Sequence, residues 1–232
     1  SPVVKFATVN AVLSLAISRD WVIHQLDVKN AFLHGTLTET VYCSQPIGFV
    51  DAAHPDLICR LNQSLYGLKQ APWAWYSRFA SYLTSLGFVE AKSDMSLFIH
   101  RDADTVYLLY VNDILLMVSS ADLLQHTIAA LQREFAMKDQ APLYHFLGVI
   151  VERRPYGLFL HQRQYTLDIL EWIDMSDRKL CSTLVDTLAK LSDDDGAPVS
   201  DTTAYWSLTR ALQYLTFTGP TGIPLHAHLA GA

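Results

Sequence analysis

The sequence predicts an α+β domain, an antiparallel sheet with helices on one face, followed by a small, mainly helical C-terminal appendage. Three observations carry this. Short apolar stretches of strand type are interleaved with stretches of helical periodicity. Two strand pairs are joined by tight turns, at Asn112-Asp113 and around Pro155-Tyr156-Gly157, as antiparallel hairpins require. A chain of 232 residues, half of them apolar, is also long enough for a sizeable core. The division between the two parts is placed at about residue 160, giving regions 1–160 and 161–232.

Taken in order, residues 4–18 put Val4, Val9, Val12, Leu13 and Ala16 at helical spacing. "WVIHQLD" reads as a strand ending at Asp27, and the tight "VKNAFLHG" follows it. "TVYCSQP" and "LICRLN" are short strands. From Pro72 to Leu86 the aromatic and apolar positions share a helical face, and Gly87 supplies the stop. "SLFIH" and "TVYLLYV" are strands, and the second turns at Asn112-Asp113 into "ILLMVSS". Ser120 or Asp122 caps a helix running to about Phe135. "YHFLGVIVE" and "GLFLH" form the second hairpin, and a short helix follows at about 163–173. Residues 176–200 read as an irregular connector, "SDTTAYWSLTRALQYLTFT" as a capped helix, and the tail after Gly219 shows no packing pattern.

Composition narrows the function classes. The net charge of −6 and a pI near 5.8 argue against a self-sufficient nucleic-acid binder, which usually shows a basic face. They suit a domain whose basic part lies elsewhere, or a core rich in metal-binding acids. One local exception gathers Arg153, Arg154 and Arg163 around the second hairpin. No apolar run approaches the roughly 18 to 20 residues of a membrane span, and the N-terminus lacks signal-peptide features. A cytosolic or nuclear setting is the expectation. Cys43, Cys59 and Cys181 are widely spaced and read as free or buried thiols, with neither a disulfide framework nor a zinc pattern.

Two acids, Asp27 and Asp113, sit at strand ends, where a lone Asp is ordinarily a turn residue. Their surroundings change that reading. "QLDVKNAFLHG" (25–35), "SLYGLKQAPWAWY" (64–76), "YVNDILL" (110–116) and "FLGVIVE" (146–152) occur in this order. Together they resemble the motifs of reverse transcriptases of copia-type LTR retrotransposons, especially plant ones, over about residues 1–218. The resemblance implies a polymerase palm-type sheet with partial fingers, and a thumb- or connection-like appendage. It implies templated DNA synthesis from dNTPs on a primer paired to RNA or DNA, within a larger polyprotein. The cofactor implied is Mg2+, with Mn2+ as a substitute: two divalent ions stabilise the attacking and leaving oxygens of the phosphoryl transfer, and magnesium prefers a few carboxylates plus phosphates and waters.

The same resemblance distributes roles. Asp27 and Asp113 hold metal with the backbone carbonyl of Val28, and Asn112 occupies the position of a further hairpin acid. Asn30 and Ala31 offer backbone N–H groups to the triphosphate, and Phe32 lies beneath the incoming sugar as a steric gate. Gly67, Lys69 and Gln70 frame the nucleotide and template; Phe146, Leu147 and Gly148 position the primer end. From the residues alone, Phe32 also reads as core, Lys69 as a surface lysine and Phe146–Gly148 as a core strand.

This sequence departs from the family pattern in several places. Asn112 stands where the family has aspartate. Asparagine serves a tight turn equally well, so folding survives, but one negative charge is lost beside two dications. The expectation is severe impairment or inactivity. Trp73 stands where relatives carry arginine, and the tail after Gly219 leaves the family pattern. Each replacement is reachable by one C-to-T change on one DNA strand, which suits an ageing, methylated genomic copy. The start of the chain reads as lying inside the fingers, beyond the basic segment that precedes them in the family. The alternative is a folded, inactive relic with weak nucleic-acid binding. A hydrolase using Asp27 and Asp113 as an acid/base pair leaves the other three motifs unexplained.

Overall fold

The computed structural model describes residues 4–101, 105–110, 113–177, 199, 201–219 and 222–226. Asn112 lies outside them, as do Cys181 and most of the connector expected at 176–200. Helix α1 (Phe6–Ser18) leads into strand β1 (Val22–Val28), a 3-10 turn (Ala31–His34), and the ribbon of β2 (Thr36–Ser44) and β3 (Ile58–Gln63). Helix α2 (Ala71–Ser85), strands β4 (Val89–Ala91), β5 (Asp94–Arg101), β6 (Thr105–Tyr110) and β7 (Ile114–Val118), helix α3 (Ala121–Glu134) and strand β8 (Met137–Pro142) follow. The last elements are β9 (His145–Phe146), β10 (Val149–Arg154), β11 (Gly157–His161), α4 (Arg163–Trp172), α5 (Thr202–Leu215) and β12 (Ile223–His226). The chain divides into two compact units, one made of the residues up to Leu143 and from Leu225 on, the other of Tyr144–Pro224. Compactness thus groups the second hairpin with helices α4 and α5, whereas the division expected at residue 160 separates them.

In the first unit a six-stranded antiparallel sheet runs β4-β5-β6-β7-β1-β8. Alternation along β1 and β7 sends Leu26, Val28, Ile114, Leu116 and Val118 to one face. There they meet Trp75, Phe79 and Leu83 of α2 and Leu124, Ile128 and Leu131 of α3 in one cluster. Helix α2 can do this because Ala71, Trp75, Phe79 and Leu83 recur every fourth residue on one stripe. It begins with a proline in its first turn and is followed by Gly87 at φ +88°. The Ser120 hydroxyl caps α3 by accepting from the Leu123 N–H at 3.3 Å. Truncating a fully buried aromatic such as Phe79 or Trp75 to alanine would cost about 3–5 kcal/mol.

The expectation of helices on one face is corrected. All five residues of β7 are buried, so Leu115 and Met117, which point away from α2 and α3, are also covered. Helix α1 packs against β7 and buries Val9, Val12, Leu13 and Ala16. A strand reading "ILLMV" is apolar on both faces, and both faces are filled. The start of α1 is tied down by Lys5, whose N–H donates to Asp94 Oδ2 at 3.0 Å and whose Nζ donates to the Ser93 carbonyl at 2.8 Å. Burial pushes the Asp94 carboxyl up. Hydrogen bonds from Thr8, Lys5 and Ser96 outweigh this and hold it below the usual carboxylate range.

Strand β8 has no signal in the sequence. "MKDQAP" shows no alternation, yet it pairs with β1 through an irregularity between His24 and Leu26 and forms the sheet's edge, where proline is tolerated. In the second unit β10 and β11 form the hairpin expected, with Ile150 opposite His161 and Arg154 opposite Gly157. A four-stranded sheet has the order β12-β11-β10-β9, so part of the tail without pattern is strand. Helix α5 is capped by Asp201, whose Oδ1 accepts from the Thr203 and Ala204 N–H groups at 2.9 Å each.

The β2–β3 ribbon places Val41 opposite Leu61 and Cys43 opposite Cys59, both cysteines being free thiols. Opposed Cα atoms in an antiparallel pair lie about 4.5–5.5 Å apart, inside the roughly 4.4–6.8 Å that a disulfide spans. Mild oxidation is therefore expected to link Cys43 to Cys59 within one chain. Mass spectrometry of unreduced peptides checks it, and a failure to link would show that the ribbon is paired in another register.

Candidate active site

Strand β1 carries the first acid and β7 follows the second. Their antiparallel register pairs Val22 with Val118, Gln25 with Leu115 and Leu26 with Ile114. That pairing ends at Leu26 and Ile114, the immediate neighbours of Asp27 and Asp113. Both acids are half-buried. Because Leu26 and Ile114 face the core, alternation turns Gln25, Asp27 and Asp113 toward the other side. Gln25 confirms the shared side, since its Nε2 donates to Asp113 Oδ2 at 2.8 Å. Gln25 is 3% exposed.

After Val28 the chain makes a tight turn. Asn30 adopts the left-handed conformation at φ 51°, which asparagine tolerates better than most residues. Ala31–His34 then form one 3-10 turn that brings Phe32 against the core cluster. The Phe32 ring is half-buried and tilted against Tyr66, with centroids 5.0 Å apart. This turn is clamped from outside. The buried Ser64 hydroxyl donates to the Phe32 carbonyl, and the Ser64 N–H donates to the Gly35 carbonyl at 3.0 Å. Arg78 Nη1 donates to the His34 carbonyl at 2.8 Å while Nη2 reaches Glu134 Oε1 at 2.7 Å.

The segment 64–76 expected to frame the nucleotide begins beside this turn. Gly67 sits at φ +89° with open space around it, so conformation rather than crowding favours glycine there. Lys69 is exposed; Gln70 is half-buried at the start of α2. Trp73 is 52% exposed, its ring 5.5 Å from that of Tyr76. With Leu37, Glu39, Gln70, Ala74 and Ser77 it lines a shallow cavity of about 150 Å³.

The structure therefore puts Asp27 and Asp113 next to the paired residues Leu26 and Ile114 and sets Asn30, Ala31 and Phe32 in one turn, with Phe32 beside Tyr66. Phe146, Leu147 and Gly148 belong to the second unit. There Leu147 at φ 51° and Gly148 at φ 66° form the two-residue turn between β9 and β10, the twist that hairpins favour. A left-handed leucine is strained. It is held by the Tyr214 hydroxyl, which donates to the Leu147 carbonyl. Burial, and then nearby Tyr165, push that hydroxyl's pKa upward, so it stays protonated and able to donate. The basic group around the second hairpin is partly neutralised: Arg154 pairs with Glu152 at 3.3 Å and lies 4.1 Å over the Phe159 ring.

Asp27 and Asp113 provide hard oxygens on neighbouring strand ends, and the Val28 carbonyl follows the first. Among the described residues no group of three His, Cys, Asp or Glu could hold a metal ion. Two carboxylates suit magnesium, which takes the rest of its shell from phosphates and water. Gln25, Gly35, Ser64, Tyr66 and Arg78 were not singled out from the sequence. Gln25 stands two residues before Asp27, a spacing that puts both on one strand face, and this was the only local signal.

Comparison with known proteins adds independent findings. A family described as "Reverse transcriptase (RNA-dependent DNA polymerase)" matches residues 1–187. The chain is 47% identical over 222 residues to the retrovirus-related Pol polyprotein from transposon RE2 of Arabidopsis thaliana, covering 95% of this chain and 15% of that protein. It is 46% identical over 222 residues to that from transposon RE1 of the same plant, with the same coverage. It is 40% identical over 197 residues to that from transposon TNT 1-94 of Nicotiana tabacum, covering 83% of this chain and 15% of that protein. The chain thus spans about 15% of the length of these relatives.

A Cβ at Gly35 would stand 2.7 Å from Ser64 Oγ, 2.8 Å from the Trp75 backbone nitrogen and 3.0 Å from Ala74 Cβ. Gly35→Ala is expected to destabilise the first unit by about 1–3 kcal/mol, the usual range for overpacking. Urea unfolding followed by tryptophan fluorescence checks this. An unchanged midpoint would mean that the 3-10 turn is not pressed against the start of α2.

Proposed function

Because the chain belongs to the reverse transcriptase family of RNA-dependent DNA polymerases, as the reverse transcriptase segment of a plant copia-type LTR-retrotransposon polyprotein, we propose that it is a nucleotidyl-transfer domain weakened at its hairpin tip by Asn112. The observation that supports this reading is the β1–β7 pairing, which runs to Leu26 and Ile114, the residues next to Asp27 and Asp113. Residues 1–160 act as palm with partial fingers and 161–232 as a thumb- or connection-like appendage. Template, primer and dNTPs are the substrates, and the rest of the polyprotein is the physiological partner. No helix among the described residues is long and apolar enough to cross a membrane.

The residues divide the work as follows. Asp27, Asp113 and the Val28 carbonyl hold Mg2+, which when bound neutralises charge on the reacting phosphates. Asn30 and Ala31 present backbone N–H groups to the triphosphate, and Phe32, backed by Tyr66 and the core, limits the room under the sugar. Gly67, Lys69 and Gln70 frame nucleotide and template. In the second unit, Phe146, Leu147 and Gly148 position the primer end on a turn made rigid by Tyr214. The neutral amide of Asn112 favours a second reading, an inactive relic with weak nucleic-acid binding. Losing even an indirect partner of a metal ligand costs about 10- to 100-fold.

Primer extension decides between the two. The segment is placed in the corresponding part of an active relative's polyprotein with Trp73→Arg, and compared with and without Asn112→Asp, using magnesium and then manganese. A gain of about 100-fold is expected, equivalent to about 2.7 kcal/mol of transition-state stabilisation. Equal extension by both versions would show that a charge at 112 is dispensable. In the restored background Phe32→Val is expected to raise the efficiency ratio of rNTP to dNTP use. An unchanged ratio would make Phe32 a core residue only.

A further inference from the structure

We propose that Gln25 is a positioning residue for Asp113, its buried amide holding the carboxylate in place. This rests on the metal-binding reading of the two acids.

Glutamine is an unexpected occupant of its position. It is 3% exposed, on a strand whose buried neighbours Ile23, Leu26 and Val28 are apolar, and glutamine is mostly found at surfaces. Its Nε2 lies 2.8 Å from Asp113 Oδ2. An ionised carboxylate only accepts hydrogen bonds, so the amide orientation is forced by chemistry. Register explains the residue's length. Gln25 faces Leu115 directly, so Asp113 is its diagonal neighbour, two residues along the partner strand. Diagonal Cβ atoms are separated by up to about 7–8 Å, within reach of a long side chain; asparagine is one methylene shorter. Charge explains the residue's type. Lysine would put a cation where a divalent ion must gather, and glutamate would repel Asp113. Glutamine restrains the carboxylate and leaves the site's charge to Asp27 and Asp113.

The test uses the unaltered chain and Gln25→Met, which keeps length and loses the donor. Two readouts are taken: the Asp113 Hα–Hβ coupling constants by NMR, and Mn2+ affinity by electron paramagnetic resonance. The unaltered chain is expected to show one Asp113 rotamer and Gln25→Met an average of several, with the Mn2+ dissociation constant rising about 10-fold, the lower end of what lost supporting partners of metal ligands cost. Averaged couplings in the unaltered chain would overturn the proposal without any variant. So would Gln25→Met couplings and Mn2+ affinity equal to those of the unaltered chain, or a loosened rotamer with Mn2+ affinity unchanged. If Gln25→Met does not fold, Gln25→Leu takes its place, judged by the same couplings and affinity. Paramagnetic broadening separates the two levels of the argument. Mn2+ that broadens neither Asp27 nor Asp113 sinks the metal-binding reading, whereas broadening of both with no effect of Gln25→Met sinks only the role of Gln25.

Discussion

A slip of β1 by one residue against β7 would turn Leu26 and Val28 out of the core and push Gln25 and Asp27 into it. Strand geometry makes the exchange all or none, because side chains alternate with a period of two. The apolar Leu26 and Val28 of β1 and the aromatic cluster of Trp75, Phe79 and Phe135 that they join therefore do more than stabilise the first unit. They select the one pairing in which two carboxylates emerge side by side at neighbouring strand ends. Hydrophobic packing on one face of the sheet thereby sets the chemistry available on the other.

Helix α2 extends this control to the turn after β1. Its inner stripe packs on the sheet, while Arg78 on its flank reaches the His34 carbonyl and Glu134. The loop before it contributes Ser64, bound to both Phe32 and Gly35. An exposed arginine–glutamate pair stabilises little, about 0–1 kcal/mol. The value of Arg78 lies in joining the 3-10 turn to the end of α3 through one planar side chain. Phe32 is in this way held by two motifs, 25–35 and 64–76, that are separate in sequence.

Much of the arrangement was legible in the chain. The antiparallel pairs β6–β7 and β10–β11, the capped helices and the two strand-end acids announce themselves through local turn chemistry and periodicity. What stayed hidden depends on partners far away. Strand β8, "MKDQAP", has no alternation because it lies at an edge and needs only β1 beside it. Coverage of both sheet faces was latent in "ILLMV", whose uniform apolarity does not say which helix lies where. Gln25 and Asp113 are 88 residues apart, and only the register makes them neighbours. The cysteines of the β2–β3 ribbon met for the same reason.

The strained leucine at the β9–β10 turn has a further consequence. The hairpin favours its shape, but the hydroxyl bound to it comes from a residue 67 positions later. The family match ends at residue 187, so a fragment cut at that boundary would contain Leu147 but not Tyr214. During synthesis, likewise, the hairpin leaves the ribosome well before its latch. The piece of this chain that keeps the turn together with its latch is therefore longer than the piece that homology alone would mark out.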